Sequence, residues 1–265
     1  MHRRAPMTSL AFGIEPGYLP YQLREARYQA LGEDIARLAE KHWQEKRTPL
    51  KLLDVGVGDG RSRRYAEAYP AAEHIQWHGV DVFPRGREFV HKHNQWRLYE
   101  MDLKHGLPAL NSDQFDLVIC EQVLEHLHRP GFAASELIRV ARPGGRLFIG
   151  VPIFPFGLHH VRKHLVPKLD KLTKKSYVRG HVQAFSLASF QQLLLENGPL
   201  EIQSARGFRI ISGGILKHLE HYRWWWQVNR WLGALLPSLC IETQVLATKT
   251  RASTSAATHQ LRRAA

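Results

Sequence analysis

The sequence predicts an α/β fold built on a parallel, doubly wound sheet. Three observations predict it. Short apolar runs of strand length alternate with segments whose apolar residues recur at helical spacing, which is the pattern of repeated βαβ units. The first such run, 51–55 (KLLDV), feeds directly into a glycine-rich turn, 56–60 (GVGDG). The composition is 44% apolar and 23% charged over 265 residues, the balance of a globular core and an ordinary size for one α/β domain.

The elements follow in order. Residues 21–47 set Leu23, Tyr28, Leu31, Ile35, Leu38 and Trp43 at helical spacing, so one or two helices are expected before Pro49. Strand 51–55 comes next, then a helix over 61–69 that ends at Pro70. The second strand is 75–82 (IQWHGVDV), and Pro84 opens a helix that runs to 93. Segments 96–101 (WRLYEM) and 115–120 (FDLVIC) are the third and fourth strands. A helix is expected over 121–128, and another over 131–141 that stops at Pro143-Gly144-Gly145. The fifth strand is 146–151 (RLFIGV). Ser186 caps a helix over 186–196 that ends at Asn197-Gly198. Segments 200–205 and 241–248 supply two further strands. Strand twist makes the parallel crossovers right-handed.

Composition excludes several classes. No apolar run reaches the roughly 18 residues of a spanning helix. No apolar stretch follows His2, Arg3 and Arg4, so no secretory signal is read. Cys120 and Cys240 are isolated, which argues against a disulfide framework or zinc cluster and fits a reducing, cytoplasmic setting. Lys and Arg number 37 against 24 acids, a net charge of +13. Such an excess favours phosphate-bearing partners, either nucleic acid or an anionic membrane surface. It is uneven: Arg162, Lys163, Lys168, Lys171, Lys174, Lys175 and Arg179 stand against Asp170 alone. The plainer reading of that run is a solvated basic face. The organisation is then a helical N-terminal segment 1–48, a main domain 49–249, and a small, polar, basic tail 250–265 that reads as disordered. The domain carries a basic insertion at about 157–181 and a Trp-rich segment 221–240.

A sheet of this kind binds ligands outside the carboxyl ends of its strands, at the switch in strand order. After the first strand, Gly56, Gly58 and Gly60 let backbone approach a ligand that any Cβ would block. After the second, Asp81 is placed to accept from two ribose hydroxyls. After the third, Asp102 with Met101 and Leu103 suits an adenine, as an acceptor for its amine between apolar side chains. After the fourth come Glu121 and Gln122. Arg61 stands where a dinucleotide fingerprint has its third glycine, which counts against NAD or FAD.

Read together, LLDVGVGDG, GVDVF, YEMDLKHGLP, FDLVICEQVLEHL and RVARPGGRLFIGVP resemble the class I S-adenosylmethionine-dependent methyltransferases. The nearest subgroup is the broad one that includes quinone-biosynthesis enzymes and many enzymes of small or lipid-linked acceptors. The resemblance runs from about 50 to 152 and continues more loosely to the last strand. It implies a Rossmann-like, seven-stranded, mostly parallel sheet with helices on both faces and an antiparallel last strand. It implies S-adenosylmethionine as cofactor, with Asp54, Gly56, Gly58 and Gly60 at its methionine end. Asp81, with Val82 beside it, would take the ribose, Asp102 and Leu103 the adenine. Glu121 and Gln122 would line the site near the methyl group. The cysteine usual in the glycine loop is Val57 here, a harmless change because the loop acts through its backbone.

The acceptor side is less marked. His126, one turn after Gln122 on the expected helix, and His181, after the fifth strand, are candidate bases for an acceptor hydroxyl. The plainer reading of His126 is a polar residue in a helix seam, and of Glu121 a favourable charge at a helix start. His159, His160 and His164 have metal-like spacing but no carboxylate partner, so no metal is expected. The Asn/Asp-Pro-Pro-Tyr/Phe signature of amino-group base methylation is absent where CEQV stands, and Cys120 lacks a preceding proline. These features favour O- or C-methylation of a small or lipid-linked acceptor. Two alternatives are an RNA-modifying enzyme, motivated by charge but lacking an aromatic RNP motif, and a non-catalytic scaffold. In the Trp-rich segment, Trp224, Val228, Trp231, Leu232, Leu235 and Leu236 form one helical face. It is expected either to cover the core or acceptor pocket, or to contact a membrane peripherally.

Overall fold

A computed structural model describes residues 25–82, 96–154, 182–210 and 214–251. The expected helix after Pro84, the basic insertion with His159, His160, His164 and His181, and the tail from 252 lie outside the described residues.

Seven strands form one sheet: β1 (Leu50–Val55), β2 (Ile75–Asp81), β3 (Trp96–Glu100), β4 (Phe115–Glu121), β5 (Ala141–Pro152), β6 (Leu200–Phe208) and β7 (Glu242–Lys249). Their spatial order is β3-β2-β1-β4-β5-β7-β6. β1 pairs in parallel with β2 and β4, as do β2 with β3 and β4 with β5. β7 runs antiparallel to both β5 and β6, as expected of the last strand. The order reverses between β1 and β4, so the crevice for a ligand opens at their carboxyl ends.

Helices cover both faces because the central strands bury both. In β4, Leu117 and Ile119 join Leu52 and Trp77 beneath α1 (Ala26–Lys46) and α2 (Arg61–Ala66). The alternate residues Val118 and Cys120 join Leu53 and Val55 beneath α3 (Pro130–Val140) and α4 (Leu187–Glu196). This is the two-residue period of a strand. α1 buries Leu31, Ile35 and Ala39 along one stripe. Ser186 caps α4 through the Ser189 N–H, and the Ser189 hydroxyl returns the bond to the Ser186 backbone.

The structure differs from the sequence reading at several elements. Residues 26–46 form a single helix, one of the two arrangements expected, but α2 stops at Ala66, short of 69. No α-helix forms over 121–128: a 3-10 turn, Leu124–His126, stands there, because Gln122 takes a left-handed φ of 58°. β5 starts at Ala141, so Pro143, Gly144 and Gly145 form an irregular part of the strand where its pairing with β4 shifts register. In the Trp-rich segment, α5 (Arg223–Leu235) packs on β6, but its inward face holds Trp225, Trp226 and Asn229. The face expected to cover the core turns outward, with Trp224, Trp231, Leu235 and Leu236 exposed. Among the described residues, no helix is long and apolar enough to cross a membrane.

Candidate functional site

A cavity of about 640 Å³ opens at the carboxyl ends of β1, β2 and β4. Of the residues singled out in the sequence, Gly56, Gly58, Asp81, Val82, Asp102, Leu103, Glu121, Gln122 and His126 line it. Asp54 and Gly60 do not: Asp54 is buried in β1, and Gly60 stands at the N-cap of α2.

The first wall is the loop after β1. Gly56 has φ +83°, and its N–H donates to the Val80 carbonyl at 2.8 Å. A Cβ built there would lie 2.3 Å from Val123 Cγ2, so only glycine lets this loop close against the turn after β4. The Gly58 N–H donates to Asp81 Oδ2 at 2.7 Å. Asp81 therefore braces the loop as well as facing the cavity. Asp54 is 1% exposed, with the Ser62 side chain beside its carboxylate. Burial pushes its carboxyl up to about 7, helped by the charges of Glu121 and Asp81 and opposed by Ser62.

The second wall follows β3. Asp102 accepts from the Lys104 N–H at 3.0 Å and pairs with Lys104 Nζ at 2.7 Å. Burial pushes Asp102 up, but these contacts outweigh it and hold the carboxyl below its ordinary value. Met101 and the buried Leu103 flank it at the cavity.

The third wall is the end of β4. Glu121 accepts from Gln244 Nε2 at 2.9 Å, and Arg27 Nε lies 3.8 Å from its other oxygen. Burial raises its carboxyl to about 7, against Arg27 and Gln244. The carboxylate crosses over β5 at Gly150, where a Cβ would lie 2.4 Å from Glu121 Oε2. Gln122 donates its backbone N–H to Gly150, while its buried side-chain Nε2 has no hydrogen-bond partner among the described residues. His126 sits at the rim with its ring 43% exposed, 3.7 Å from the fully buried Glu125.

Several site residues were not singled out in the sequence. Tyr28 lines the cavity from the first turn of α1. Its ring stacks on Tyr65 at 6.3 Å and its hydroxyl accepts from Arg27 at 3.1 Å. Glu25 fixes that turn by accepting from the Tyr65 hydroxyl and from Arg61. Arg27 also pairs with Glu242 at 2.9 Å. Glu125, fully buried, carries a carboxyl raised to about 7 by burial. The signal available was the interruption of apolar helical periodicity by Arg27 and Glu125. No group of three or more His, Cys, Asp or Glu placed to hold a metal occurs among the described residues.

Comparison with known proteins converges on the same region. Residues 53–149 match a family model described as a methyltransferase domain. The chain is 30% identical over 142 residues to an uncharacterized methyltransferase of Mycolicibacterium vanbaalenii, covering 51% of this chain and 54% of the relative. It is 30% identical over 113 residues to a ubiquinone biosynthesis O-methyltransferase of Thiobacillus denitrificans, covering 40% and 47%. The chain thus spans about half the length of these curated relatives. A crystal structure of an S-adenosylmethionine-dependent methyltransferase from Mesorhizobium loti shares the fold, with TM-score 0.50 and 16% identity over 78% of this chain and 97% of that one.

Proposed function

We propose that the chain is a class I S-adenosylmethionine-dependent methyltransferase that methylates an oxygen or carbon of a small or lipid-linked acceptor, a reading supported by the methyltransferase-domain match over residues 53–149 and by the shared fold. One observation carries the reading. The cavity at the sheet's switch point is lined by Gln122, whose buried amide nitrogen has no hydrogen-bond partner among the described residues, and Asp54 is buried at the end of β1 next to that lining. A carboxylate answers the Gln122 amide, and an ammonium group held at the glycine loop would be drawn to buried Asp54. Gly56 and Gly58 leave room for close approach, and Asp81 and Asp102 carry acceptors for hydroxyls and an amine.

When bound, S-adenosylmethionine supplies a methyl carbon activated by its sulfonium. What remains for the chain is alignment and exclusion of water. Glu121, braced by Gln244 and Arg27, sets a carboxylate at the floor of the cavity. Tyr28 closes the wall facing it. His126, at the rim beside Glu125, is placed to take a proton from an acceptor hydroxyl. The name of the ubiquinone biosynthesis relative supports oxygen as the methylated atom.

Calorimetric titration tests the cofactor. S-adenosylmethionine and S-adenosylhomocysteine are expected to bind one per chain, and NAD not to bind. Asp81→Ala removes both a ribose acceptor and the brace on Gly58, so affinity is expected to fall at least about tenfold, from a charged hydrogen bond worth about 1.5–3 kcal/mol. Binding of NAD alone, or unchanged affinity in a folded variant, overturns the reading. A positive result leads to an acceptor screen in lipid and RNA fractions.

A further inference from the structure

We propose that α5 docks the protein onto an anionic lipid bilayer, with the Trp224, Trp231 and Leu235 stripe entering the head-group region. The helix has two apolar faces of different fate. Its inner face is used: Trp225 and Trp226 are 8% and 7% exposed and pack against Ala26 and Leu219. Its outer face is not, since Trp224, Trp231 and Leu235 are 52%, 63% and 57% exposed. Steps of seven and four residues place the three along one line of the helix. Tyr222 and Leu236, also exposed, extend the patch at both ends. Contiguous exposed apolar surface of this kind marks an interaction site.

The helix is firmly seated, so the fold itself presents the stripe. Gly233 approaches β6 so closely that a Cβ would lie 2.0 Å from the Gly207 carbonyl oxygen. Arg230 pairs with Glu33 of α1 at 2.7 Å.

The chemistry around the stripe selects the occupant. Residues 214–240 contain Lys217, Arg223 and Arg230, the last paired with Glu33, and a single acid, Glu220, which is 1% exposed. The whole chain carries +13. Tryptophan and tyrosine beside arginine, with leucine between, is the composition that settles at the boundary of head groups and acyl chains. Anionic lipid complements the charge. A second copy of the chain would bring the same cations together across a two-fold contact. Docking does not depend on the proposed chemistry. If that chemistry holds, docking adds a consequence: Ala26 under the helix lies two residues from Tyr28 of the cavity wall, so a lipid-linked acceptor would be met near its own surface.

The test is vesicle sedimentation of the full chain at low salt, with phosphatidylcholine alone or with about a third phosphatidylglycerol. Binding to the anionic vesicles with a blue shift of Trp emission is expected. Trp224→Ser with Trp231→Ser keeps the net charge, and is expected to weaken binding at least about tenfold with melting temperature and S-adenosylmethionine affinity unchanged. No sedimentation overturns the proposal, as does equal sedimentation of the double variant, which would mean attachment by charge alone. A wild-type dimer dissolved by the double variant, or RNA binding lost in it without vesicle binding, assigns the face to another occupant and also overturns it. Should the double variant misfold, brominated acyl chains must quench wild-type Trp emission, and absence of quenching overturns the proposal.

Discussion

If the proposed donor binds beside the buried carboxyls, its binding is a proton-linked event, and the size of the link follows from the site. Asp54 and Glu121 are each raised to about 7 by burial. Bound S-adenosylmethionine brings an ammonium and a sulfonium, both of which favour the ionised carboxylates. At about pH 6, a group with pKa about 7 is ionised in only about one molecule in eleven, and at about pH 8 in about ten of eleven. Binding that requires the ionised form of Asp54 is therefore expected to tighten about tenfold over this range. The stability of the ligand-free protein moves the other way. A carboxyl raised above its unfolded value contributes stability that is complete below about pH 4 and lost as pH rises through about 7. The melting temperature without ligand should fall between about pH 6 and about pH 8, while the increment given by S-adenosylmethionine grows. The assay is calorimetry at about pH 6.5 in buffers of different ionisation heat, which reads protons released per donor bound. Asp54→Asn should bind more weakly and lose most of the pH dependence. Flat affinity with no proton release would refute the argument, because either Asp54 would then be ionised before binding or the donor would not meet it.

Two further predictions concern glycines. Gly56→Ala places a Cβ 2.3 Å from Val123 Cγ2 at φ +83°. Denaturant midpoints should show a loss exceeding the roughly 1–2 kcal/mol of the left-handed conformation alone, and Val123→Ala in the same chain should recover only the excess. Gly150→Ala crowds the Glu121 carboxylate at 2.4 Å and displaces it from Gln244. Donor affinity measured by calorimetry should drop several-fold while the fold is kept.

The legible parts of the sequence are those whose signal is local. β1 and β4 are apolar runs because they bury both faces, and each ends in a residue suited to a ligand, so Gly56, Asp81, Asp102 and Glu121 could be found by counting from strand ends. The segment after β4 misled because Val123, Leu124 and Leu127 have helical spacing. The apolar pattern does not report that Gln122 turns left-handed to donate its N–H to Gly150. In α5 the helical period holds, but the face carrying Trp224, Trp231 and Leu235 is exposed and does not cover the core. Four tryptophans lie on both sides of the helix, so periodicity cannot say which pair is covered. That choice is made by Gly233 against Gly207, a contact between distant segments.

The same contrast divides the cavity into two halves. The half formed by Gly56, Asp81 and Asp102 is built from strand-to-loop units, each contiguous in sequence. The other half joins Tyr28 and Arg27 of α1, Glu121 of β4, and Glu242 and Gln244 of β7. Its members are held by ion pairs across the sheet, in surroundings where an unpaired charge is costly. Arg27 is the joint: it reaches Glu121 and Glu242 while donating to the Tyr28 hydroxyl. Loss of its guanidinium would leave Glu121 with Gln244 alone and Glu242 with Arg209 alone, and free the wall at Tyr28 at once. On the proposed reading, a change in this half is expected to reshape the space beside the methyl group and to leave the glycine loop unaltered. On the same reading, the acceptor is therefore governed by pairs far apart in the chain, whereas the donor is governed by short motifs.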